Sequence, residues 1–433
     1  MSSLYRLGLT AMRDAIARGE CSADDVWLSC RGQIERHEPA VRAWRQLWPE
    51  AGFEAAVRKG ALRGLPIGVK DTIDVCGLRA ERGSAIWQGR TPQADAACVS
   101  ALKQLGARVM GKTVTTEFAY FTPGATANPH RLTHTPGGSS SGSAAAVAAG
   151  MVPLALGSQT AASVIRPAAY CGVVGYVATV GNHASRGIMP LAHSLDSLGF
   201  LARDVADVQY VQALLGRAAS AAEPPKRPPQ AVLAIDGSAF GTVAPEMLAL
   251  HQRAVDTLRA CGVQVECDAT ELLGAEGGLA WVEAHRRLMA YEAAQTLAFE
   301  YNTHRDQLSP ALSALIEEGL AIDGEQYDAL RTQRDSALAR FVLVMRRYDA
   351  ILAPAAPGAA PEGLAATGRP DQSRPWQWLG APQVTLPAGV SSCGLPLGLQ
   401  LIGAHRNDHV LLGLARWMQD ELGWRGRVPQ PFD

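Results

Sequence analysis

The sequence predicts an α/β protein built on a largely parallel or mixed sheet. Two observations carry this. Strand-like and helix-like patterns alternate along the chain, as they do when helices cover a sheet. The strand patterns are short runs containing Val and Ile, bracketed by Gly and Pro. With 433 residues the chain is also long enough to bury a large core.

The elements follow in order. The first forty residues read as two helices; Ser22, with Asp25 three residues on, is an N-cap opening a periodic stretch to about Arg36. Gly64 to Val75 reads as a short buried strand with polar ends. A helix at Cys98–Leu105 and a strand at Arg108–Met110 come next. Thr135 to Gly175 begins with a Pro-Gly-Gly break and three serines, then an Ala-rich run ending at Gly150. A helix apolar on nearly every side must be buried, and Gly150 suits its C-terminal cap. Val152–Leu156 reads as a buried strand. A ten-residue helix rises roughly 15 Å, and a five-residue strand spans about the same, so Gly157–Ser163 returns level with Ser139. Two serine-bearing loops thus converge at one sheet edge.

Residues 217–230, RAASAAEPPKRPPQ, read as a Pro-rich linker between an N-terminal part, 1–216, and a more helical region, 231–433. That region opens with a strand at Val232–Ile235 and a helix at Pro245–Cys261. Helical patterns follow at Ala275–Tyr301 and Glu325–Arg347. Strands at Ala350–Ala353 and Leu395–Ile402 precede a last helix at Asp408–Leu422. The late strands are expected to rejoin the first sheet, giving one compact domain.

Composition narrows the partners. Forty basic residues against 41 acidic ones leave a net charge of −1, with no electrostatic footprint for nucleic acid or an anionic membrane. Nucleic acid is therefore not expected as a direct partner. Of eight scattered cysteines without a CxxC pair, most read as buried small hydrophobes in a reducing compartment. The most apolar segment, Ser143–Gly157, contains Pro153 and two glycines and does not suit a membrane span. A cytoplasmic protein is the expectation.

The serine-rich segment also carries a resemblance. TPGGSSSGSAAAVAAG followed by GSQTAASVIRP closely resembles the Gly/Ser-rich signature of the amidase-signature family. Upstream, GLPIGVKDTIDVCG and GKTVTTEFA look like that family's lysine-bearing strand and the block after it. PLAHSLDSLGFLARDVADV and GLPLGLQLIGA resemble further family segments. The likeness covers about Ala11–Leu214 and Ala350–Trp417. It implies a large central mixed sheet flanked by helices on both faces, and hydrolysis of a carbon–nitrogen amide bond.

Residue by residue, the resemblance implies Ser163 as nucleophile, Ser139 as a serine on a cis peptide, and Lys70 as buried general base. The backbone N–H groups of Thr160, Ala161, Ala162 and Ser163 would form an oxyanion hole. A serine hydroxyl needs a base to remove its proton, and lysine serves only when neutral. Burial in GLPIGV and the positive end of the helix after Ser139 would both disfavour the ammonium. The plain alternatives are a Gly/Ser turn for Ser139, an ion pair with Asp71 or Asp74 for Lys70, and a turn serine for Ser163. Ser140 and Ser141 read as structural.

Gly138–Gly142 also satisfies GxSxG, but Leu132–Pro136 before it is no central strand, which the nucleophile elbow requires. No histidine spacing suits zinc, and neither metal nor cofactor is expected. Arg166 lies three residues after Ser163, where many relatives place arginine two after it. It would grip a substrate carboxylate, pointing to a small half-amide of a dicarboxylic acid such as malonamate, or else form a structural pair with an acid; an arylamide or a longer aliphatic amide stays open as substrate. Ala161-Ala162 stands where Gly-Gly is common, so the loop must keep φ below zero or carry strain. Gln159 stands where Asp is frequent. The expected partners are a small-molecule amide and, as a homodimer, a second copy of the chain. The alternative function is the amidase-type subunit of a tRNA-dependent amidotransferase complex.

Overall fold

The computed structural model describes residues 4–49, 60–216, 227–426 and 429. Among them, eleven strands form one mixed sheet: β1 (Trp44–Leu47), β2 (Pro66–Lys70), β3 (Arg108–Thr113), β4 (Leu154–Gln159), β5 (Val174–Val177), β6 (Ser197–Ala202), β7 (Ala231–Ala234), β8 (Gln264–Glu266), β9 (Ala350–Pro354), β10 (Gln383–Val390) and β11 (Pro396–Ile402). Their order across the sheet is β1-β3-β2-β4-β6-β5-β10-β11-β9-β7-β8. β2 runs parallel to β3 and β4, and β7 to β8 and β9; the remaining pairs are antiparallel.

The sheet is covered on both faces. Neighbouring residues of β9 and β11 join opposite apolar clusters, Leu352 and Leu401 in one, Ile351 and Ile402 in the other. This is why the strands read as continuous apolar runs rather than alternations. The capping box at Ser22 and Asp25 opens the helix Ala23–Val41. No helix among the described residues is long and apolar enough to cross a membrane.

The segments on either side of the Pro-rich stretch share the sheet, because β10 pairs with β5 in antiparallel register, Gln383 opposite Val177. Of that stretch, 217–226 lie outside the described residues. Arg227 forms an ion pair with Asp349 at 2.8 Å, and the Gln230 N–H donates to the same carboxylate.

All eight residues of the helix Ser141–Ala148 are buried, and it packs on β2, β3 and β4. Its small side chains let it press close. A Cβ on Gly142 would lie 2.2 Å from the Ala43 carbonyl oxygen and 2.4 Å from the Val114 nitrogen. Both obstacles are backbone and cannot rotate away. Gly142→Ala is expected to cost at least about 1–3 kcal/mol, read as a lower denaturant midpoint at unchanged slope.

Candidate active site

Lys70 ends β2, and its side chain is fully buried. Its Nζ is hydrogen-bonded to Ser139 Oγ at 2.7 Å, to Ser158 Oγ at 3.0 Å and to the Ser158 carbonyl at 3.2 Å. Burial lowers its pKa from 10.5 to about 7, against a smaller upward pull from Asp196. The carboxylates nearest in sequence are engaged elsewhere: Asp71 lies 3.7 Å from Lys112, and Asp74 pairs with Arg90 at 2.7 Å. An amine buried among hydroxyls, with no acid beside it, is readily neutral.

Ser139 follows a tight backbone. Gly137 has φ +79°, and a Cβ there would meet Pro167 Cα at 2.9 Å, so only glycine fits. The Gly138–Ser139 peptide bond is cis. The Gly138 carbonyl accepts from Arg166 Nη2 at 2.7 Å. Ser163 enters from the other loop, and the Ser140 N–H donates to its carbonyl at 3.0 Å, tying the two loops together. Ser139 and Ser163 line one small cavity. Lys70 and Ser139 touch directly. The Ser163 hydroxyl, by contrast, makes no hydrogen bond to Ser139 among the described residues, and catalytic contacts are often loose without substrate. Ser140 and Ser141 turn to the carbonyls of Ser158 and Val114.

The Thr160–Ser163 loop is held at both ends. Gln159 Oε1 accepts from the N–H groups of Val164 and Ile165 at 2.9 and 3.1 Å, and its Nε2 donates to Gln377 at 3.0 Å and Gln383 at 3.3 Å. Thr160 Oγ1 donates to Asp196 at 2.5 Å, and the Thr160 carbonyl lies 2.8 Å from His285 Nε2. Asp196 is buried, which raises its pKa to about 6 despite the hydrogen bonds it accepts. Ala161 and Ala162 are not among the residues with positive φ, so replacing Gly-Gly here needs no left-handed backbone. The N–H groups of Ala161, Ala162 and Ser163 donate to no described residue.

Arg166 lines the cavity but is largely committed to backbone. Beyond Gly138, it donates to the Gly368 carbonyl at 2.7 Å and to Thr367 Oγ1 at 3.1 Å, and its Nε has no partner. The structural acid considered as its partner is not what it meets. Burial lowers its pKa to about 10, leaving it charged.

Sequence reasoning passed over Ser158, Asp196, His285 and Arg374. Asp196 sits in the block PLAHSLDSLGF and was within reach. His285 and Arg374 carry no local signal, since they contact Thr160 and each other across 125 and 89 residues.

The amidase family model matches residues 33–412. A glutamyl-tRNA(Gln) amidotransferase subunit of Roseiflexus castenholzii is 31% identical, covering 99% of both chains. A peptide amidase from Stenotrophomonas maltophilia superposes with a TM-score of 0.81 at 27% identity, covering 98% of this chain and 99% of the other. The corresponding amidotransferase subunit from Thermotoga maritima has the same fold, with a TM-score of 0.80 at 24% identity over 95% of this chain and 98% of its own.

These relatives correct one expectation. The exclusion of nucleic acid does not stand, because proteins similar along the whole chain are subunits of an enzyme named for a tRNA. Net charge sums over the entire surface, and it is blind both to a local patch and to an RNA engaged through neighbouring subunits. The matched span of sequence and the shared fold lead to one assignment: the chain belongs to the amidase family.

Proposed function

We propose that this chain cleaves a carbon–nitrogen amide bond through an acyl-enzyme on Ser163. Neutral Lys70 takes a proton from Ser139 Oγ as Ser139 takes one from Ser163 Oγ, and Ser163 Oγ bonds to the substrate carbonyl carbon. Backbone N–H groups of the Thr160–Ser163 loop receive the oxyanion. Collapse breaks the C–N bond, the relayed proton leaves with the amine or ammonia, and water repeats the sequence to release the acid. The observation that carries this reading is the buried Lys70 amine, hydrogen-bonded to Ser139 and with no carboxylate within ion-pair distance among the described residues. The purified chain should release ammonia or amine from small amides without added glutamine, ATP or tRNA. No release from any amide, alone or with partner subunits, rejects the reading.

A second reading, an amidase-type subunit of a tRNA-dependent amidotransferase, is favoured by whole-length relatives of that kind at 30–31% identity. It shares the chemistry and differs in assembly. Turnover that appears only with partner subunits and tRNA supports it over the free-standing hydrolase.

For the substrate, a small half-amide suits a cavity lined by two buried guanidiniums, Arg166 and Arg374. Neither has a carboxylate within ion-pair distance among the described residues, and a buried charge calls for a counter-charge. Arg166→Ala is expected to lower kcat/KM for all amides, because it releases the Gly138 carbonyl. It should lower kcat/KM for a half-amide about tenfold further than for its neutral analogue. Equal losses for both, in a steady-state comparison, would remove Arg166 from substrate recognition.

A further inference from the structure

We propose that His285, oriented by Arg374, is a positioning residue that aims the oxyanion hole by fixing the Thr160 carbonyl. The proposal rests on the acyl-enzyme reading above and concerns a pair outside the serine–lysine relay. His285 lies in the helix Gly277–Thr296 and is fully buried. Its two ring nitrogens have different partners. Arg374 Nη1 lies 2.9 Å from Nδ1, and the Thr160 carbonyl lies 2.8 Å from Nε2.

The proton placement follows from the partners. A guanidinium only donates, so Nδ1 must accept; a carbonyl only accepts, so Nε2 must carry the hydrogen. The imidazole is therefore a neutral Nε2–H tautomer. Burial and the adjacent Arg374 both hold its pKa well below the ordinary 6.5. Charging it would set a second cation against Arg374 and lose the bond that Nδ1 accepts.

The consequence reaches the cavity through one peptide plane. Carbonyl and N–H of a trans peptide point in opposite directions. A Thr160 carbonyl bound to His285 therefore turns the Ala161 N–H the other way, and Ala161 lines the cavity beside Ser163. Thr160 is fixed a second time through its hydroxyl to Asp196, and Gln159 fixes the far end of the loop at Val164 and Ile165. What these anchors leave unengaged is the run of N–H groups a developing oxyanion requires. Such donors act most strongly when already in place, since no reorganisation is then needed during reaction.

The test uses the full chain and an amide that the wild-type protein hydrolyses. His285→Ala should lower kcat about 10- to 100-fold, less than the roughly 10²–10³ lost when a donor is deleted outright, with KM nearly unchanged. A boronic acid, which forms a tetrahedral anion on serine, should bind more weakly by a similar factor. His285→Gln, which offers one donor and one acceptor at comparable reach, should recover most of both losses. Unchanged kcat and boronate affinity in His285→Ala would overturn the proposal, as would losses carried by KM. If that variant fails to fold, nitrogen NMR of the wild-type imidazole decides. A neutral Nε2–H form between about pH 5 and 8 is expected, and an imidazolium or the Nδ1–H tautomer overturns it. A wild-type chain that labels with no serine reagent and hydrolyses no amide rejects the acyl-enzyme reading instead.

Discussion

Ser163→Ala is expected to lower kcat by about 10⁶-fold, as loss of the nucleophile does where residues act as a unit. It should also abolish covalent labelling by a serine-directed phosphonate. Alanine leaves the cavity, the oxyanion donors and the Lys70–Ser139 pair in place but supplies no oxygen to form the acyl bond. The residual rate would reflect binding and the oxyanion hole alone. Stability should change little, within about 0.5–1 kcal/mol, because the Ser163 hydroxyl holds nothing together among the described residues; its carbonyl keeps the bond from Ser140. Mass spectrometry of phosphonate-treated protein checks the point. A label that persists in the variant assigns the nucleophile to another serine, and Ser139 is the first to examine.

The second large effect is at Lys70. Lys70→Ala should lower kcat/KM by about 10²–10⁴, the range for losing a general base. The wild-type pH profile carries its own signature. The amine works as a base only when neutral, so activity should rise with pH through about 7 and level above it, following the depressed pKa. Below that midpoint the ammonium dominates and the relay has nowhere to send a proton. Lys70→Arg preserves the charge but cannot lose it, and should be inactive across the range. A kcat/KM profile flat between about pH 5 and 9 would be incompatible with Lys70 as base.

Local signals served the sequence reading well, and distant ones did not. The capping box at Ser22 spans three residues and is visible without a fold. The strand at Pro66–Lys70 announces itself by an apolar run between glycines, and motif order marks Lys70, Ser139 and Ser163; of these, Ser139 and Ser163 line one cavity, and Lys70 reaches Ser139 from outside its lining. Three central strands lacked such marks. Val174–Val177 and Ser197–Ala202 are short and carry glycine, and Gln383–Val390 contains Pro387, which argues against a central strand. The fold accommodates that proline beside a shift in the pairing of β10 with β11. His285 and Arg374 needed three-dimensional contact to acquire meaning, since neither stands in a motif nor near its partner in sequence. The charge balance misled for the opposite reason, by averaging away everything local.

The amide cluster beneath the Thr160–Ser163 loop ties that loop to sequence far away along the chain. Gln159 shapes that loop, yet it is gripped by Gln377 and Gln383 from the far end of the chain. A nascent polypeptide still short of residue 377 already holds Lys70, Ser139 and Ser163 but lacks the amide clasp under the loop that carries Ser163. The setting of the loop that carries Ser163 therefore waits on side chains 218 and 224 positions further along the chain than Gln159.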